Sequence, residues 1–63
     1  MEESAFEVIK QVQPSLIEAI DQLLNLGQTP TQIADKVSIR DVALAGLVEL
    51  AATHMKSIRE NGK

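Results

Sequence analysis

Apolar residues recur at a fixed interval over the first 26 positions. Ala5, Ile9, Val12, Leu16, Ala19, Leu23 and Leu26 follow one another at alternating steps of four and three. That spacing makes the seam of a helix lying along a partner helix. Phe6, Ile17, Ile20 and Leu24 form a second stripe, which widens the apolar face. The pattern predicts a helix over about 4–26. Ser4, with Glu7 three residues on, has the form of a capping box at its start. Gly27 stands just past the last periodic residue, where a C′ glycine ends many helices.

Pro14 interrupts this run. Inside a helix a proline removes one backbone bond and clashes with the carbonyl four residues back, at a cost of about 3 kcal/mol. Ser15 with Glu18 offers a second capping box just after it. The seam keeps its phase across Pro14, so the expectation is one kinked, nearly continuous helix. The alternative is a break there, with helices over 4–12 and 14–26.

A short helix is predicted over 30–37. Thr29 suits the N-cap, Pro30 the first helical position, and Gln32 the reciprocal capping contact. Ile33, Ala34 and Val37 supply its apolar side. Ser38, with Asp41 three residues on, then predicts another N-cap and a last helix over about 39–60, closed by Asn61 and Gly62. Leu44, Val48, Ala51, Met55 and Ile58 again step by four and three, with Ala43, Leu47 and Leu50 beside them.

Each long helix would span roughly 35 Å at 1.5 Å per residue. The expected fold is therefore all-α: a helical hairpin of two long helices joined by a short one, in a single domain over 1–63. One hairpin gives each long helix a single large neighbour. The run from Val42 to Val48, however, is apolar or small on every side for nearly two turns, and a helix that is apolar all round is buried all round. Ala43, Ala45, Gly46, Ala51 and Ala52 would admit a second helix closely. The expectation is a homodimer with a four-helix-bundle-like core, twofold symmetry being the commonest solution. Leu16, Ile20, Leu23, Leu44, Leu47, Val48, Ala51 and Met55 are the candidate interface residues.

Size points the same way. A 63-residue chain buries only about 60 % of its unfolded surface and is marginally stable unless stapled. No cysteine is available for a disulfide, and His54 is the single histidine. The absence of cysteine fits a reducing cytoplasm, the expected location. The acidic opening Met-Glu-Glu-Ser has no basic region leading into an apolar run, so no secretory signal is expected. No apolar stretch approaches the roughly 20 residues of a membrane-spanning helix, and no membrane association is expected.

Charge is divided along the chain. Residues 1–31 carry Glu2, Glu3, Glu7, Glu18 and Asp21 against Lys10, whereas residues 32–63 hold five basic and four acidic groups. A hairpin would bring Glu2, Glu3 and Glu7 near Lys56, Arg59 and Lys63. The net charge of −3 disfavours non-specific binding to nucleic acid or anionic lipid.

Catalytic chemistry is thinly represented. Nucleophilic catalysis needs a nucleophile with a positioned base, and Thr53-His54-Met55 does not put a hydroxyl and the imidazole on one helix face. His54 borders the apolar seam beside Leu50, Ala51 and Ile58, as a packing histidine does. No inward Glu-x-x-His pair suggests a carboxylate-bridged metal, and Gly27, Gly46 and Gly62 are too isolated to form a phosphate loop. The chain is expected to be neither an enzyme nor a carrier of a cofactor or metal.

One constellation suggests a second reading. Ile33-Ala34, Val37-Ser38-Ile39, Leu44 and Leu47 resemble the apolar skeleton of a helix-turn-helix unit, which implies a nucleic-acid-binding regulator using residues 30–49. Lys36 and Arg40 would then touch the phosphate backbone. Base reading needs donors and acceptors on the exposed face of the second helix, and Asp41 and Glu49 would repel phosphates. The leading expectation is a small homo-oligomeric regulator or accessory subunit that acts by protein–protein interaction.

Overall fold

The computed structural model describes residues 2–38 and 40–62. Within them the chain is all-helical, with four helices: α1 (Glu2–Val12), α2 (Pro14–Asn25), α3 (Pro30–Val37) and α4 (Val42–Asn61).

The first long helix is not continuous. Gln13 leaves helical geometry at φ −147° and ψ 76°, because the ring of a following proline disfavours the α region for the residue before it. Pro14 then opens α2 at its first helical position, where the missing N–H would have had no partner anyway. The Gln13 amide still donates to the Ile9 carbonyl at 2.8 Å, and Leu16 donates to Gln13 at 3.0 Å. The break therefore sacrifices little backbone bonding. Neither expected capping box forms, since Ser4 and Glu7 lie within α1 and Ser15 and Glu18 within α2.

Gly27 ends α2 in the left-handed region, at φ +87°. Its amide bonds the Leu24 carbonyl at 3.0 Å, and the Gln28 amide bonds Leu23 at 3.1 Å. This paired arrangement satisfies carbonyls that the last helical turn leaves open. α3 starts on a reciprocal cap: Thr29 Oγ1 accepts from the Gln32 amide at 3.2 Å. In return the Thr29 amide donates to Gln32 Oε1 at 2.9 Å.

The corner into α4 differs from expectation. Ser38 terminates α3, its amide bonded to the Ala34 carbonyl at 2.9 Å, and does not start the next helix. Asp41 is the N-cap of α4, its carboxylate accepting from the Leu44 amide at 3.1 Å. The anticipated helix start at Ile39 lies outside the described residues. Either Ser38 or Asp41 is a competent cap, but Asp41 adds a negative charge at the positive end of the helix dipole.

α4 is the hub. Its most extensive partner is α1, followed by α3, while α2 bridges α1, α4 and α3. Ile20 of α2, Ile33 of α3 and Val48 of α4 are completely buried, and Ile9, Ala34, Ala51 and Ala52 complete the central cluster. The molecule measures 34 × 22 × 19 Å, little longer than the roughly 30 Å of α4 itself. Its radius of gyration of 10.5 Å matches the about 10.6 Å of a folded monomer of this length. Splitting at Gln13 lets two short helices, with α3, wrap α4 where a hairpin would have offered one. Of the run from Val42 to Val48, the chain buries Val48 and half-covers Leu44, Ala45 and Leu47, and it leaves Val42, Ala43 and Gly46 exposed.

Candidate interaction surface

The outward face of α4 follows from the pitch of the helix. Val48, Ala51 and Ala52 define the buried side. Val42, Ala43, Gly46, Glu49, Leu50 and Thr53 recur on the opposite side at steps of three and four. Its first two turns are almost bare. Val42 is 90 % exposed, Ala43 and Gly46 are exposed, and a Cβ built on Gly46 would meet nothing within 4 Å beyond the adjoining backbone of its own helix. Leu50 continues this strip and Leu47 flanks it, both half-buried. Beyond them Thr53 turns its hydroxyl back to the Glu49 carbonyl at 2.9 Å, and Glu49 accepts from the Thr31 hydroxyl at 2.7 Å. The Glu49 carboxylate thus ties α3 to α4 at the border of the strip.

The candidate interface residues divide into two groups. Ile20, Val48 and Ala51 have no exposed surface in the single chain. Leu16, Leu23, Leu44, Leu47 and Met55 are half-buried and pack against the core. Val12 and Leu26, members of the expected seam, are 78 % and 75 % exposed. That seam presumed one helix axis; α1 ends at Val12, and Leu26 is the C-cap of α2.

Lys36 and Arg40 are both exposed beside the α3–α4 corner. The outward side of α4 that follows them carries Val42, Ala43 and Gly46, which offer a base edge no side-chain donor or acceptor. His54 is half-buried at the junction of α1 and α4, its ring 5.2 Å from that of Phe6 at an interplanar angle of 49°. The Lys10 ammonium stands 5.8 Å from the Phe6 ring centre, within the range of a cation–π attraction.

Among the described residues, Glu2, Glu3 and Glu7 form no ion pair with Lys56 or Arg59. Arg59 instead clamps α2: its guanidinium donates to Asp21 Oδ1, to the Asp21 carbonyl at 3.2 Å and to Asn25 Oδ1. Of the other two expected partners, Lys56 is exposed and Lys63 lies outside the described residues. A shallow apolar groove of about 200 Å³ runs beside this clamp, lined by Phe6, Ile17, Met55 and Ile58. No helix among the described residues is long and apolar enough to cross a membrane. In comparisons with protein-family models, curated proteins and solved structures, the chain matches none.

Proposed function

We propose that the chain is a non-enzymatic protein–protein interaction module that self-associates through the first half of α4. The observation that carries this reading is Gly46. A glycine inside a helix costs roughly 0.5–1 kcal/mol relative to alanine, yet beyond the adjoining backbone of its own helix no atom lies within 4 Å of the site of its missing side chain. Val42 and Ala43 lie on the same bare face, which Leu50 continues and Leu47 flanks. Two copies meeting across this strip would set Gly46 against Gly46 and let the helix backbones approach. Such a contact is self-complementary, as a twofold dimer requires. Leu44 and Leu47 would close its edges, while Ile20, Val48 and Ala51 would support it from within. The cysteine-free sequence fits a cytoplasmic setting for this role.

Light scattering at micromolar concentration tests the proposal, with a mass of two chains as the expected result. Gly46→Gln should reduce that mass to one chain without loss of helicity, because the new side chain enters open space in the protomer. A mass of one chain for the unsubstituted protein overturns self-association. A Gly46→Gln dimer as tight as the original overturns the assigned face. Titration with random duplex DNA at about 50 mM salt, where release of counterions strongly favours binding, should show no complex.

A further inference from the structure

We draw no further inference here: the strongest candidate, the apolar groove that Phe6, Ile17, Met55 and Ile58 line between α1, α2 and α4, carries nothing because nothing in the structure shows what covers it.

Discussion

Ser38 ends α3 with its side chain turned inward, 7 % exposed, and its hydroxyl oxygen has no hydrogen-bond partner. Burying an unpaired hydroxyl costs about 1–3 kcal/mol by protein mutational measures. The caps on either side are different: Thr29 and Asp41 both accept from backbone amides. Ser38→Ala should therefore raise the unfolding free energy, by about 1 kcal/mol, as read from the midpoint of a urea titration. A fall in the midpoint would mean that the hydroxyl is satisfied in solution. A sequence pattern does not expose this distinction. Ser and Asp are near-equal helix caps, and Ser38 and Asp41 stand only three residues apart. Choosing between them takes the position of the α3–α4 corner, which the packing of Ile33 and Val48 fixes.

At the level of elements, Pro14 separates two accounts of the chain. Within a continuous helix its replacement by alanine would recover about 3 kcal/mol. At the first position of α2 it disturbs nothing and restricts the unfolded chain, a benefit of about 0.4–1 kcal/mol. Pro14→Ala is thus expected to lower stability by somewhat under 1 kcal/mol in chemical denaturation, and a gain of several kcal/mol would indicate an unbroken helix. The all-α class and the short α3 are legible in the sequence, because Thr29-Pro30 and Gln32 leave α3 little choice of start. The break at Gln13 is not. A heptad seam that stays in phase across a proline is equally compatible with one bent helix or two, and only the contacts of α1 and α2 with α4 decide. The same ambiguity conceals the division of the candidate site. Periodicity marks Val48 and Ala51 as apolar, as it does Leu47, but not which of them the chain itself covers.

For the whole molecule, marginal stability governs what each contact is worth. At about 0.05–0.15 kcal/mol per residue, 63 residues amount to roughly 3–9 kcal/mol. Ile33 is fully buried, and truncating such a side chain to alanine costs about 2–5 kcal/mol. Ile33→Ala should abolish or strongly depress the cooperative thermal transition measured by circular dichroism. Arg59→Ala should shift it far less. The side chains of Arg59 and Asp21 are 37 % and 50 % exposed, and pairs open to water contribute about 0–1 kcal/mol. Retention of a normal transition by Ile33→Ala would mean that the core does not rest on this residue.

The hub position of α4 also orders the molecule in time. Amide hydrogens exchange with solvent when the segment holding them opens, and the best-protected ones wait for global unfolding. Val48, Ala51 and Ala52 lie at the buried centre of the core, so their amides should exchange last, at a rate set by the stability of the whole domain. Val42 and Ala43, on the first turn of the same helix with one side bare, should exchange early in the isolated protomer. Self-association through that face would slow them as protein concentration rises, and the central amides with them, because binding of a second folded copy stabilises the whole domain by mass action. A single helix would then carry two clocks, one reading the assembly alone and the other reading the fold and the assembly together.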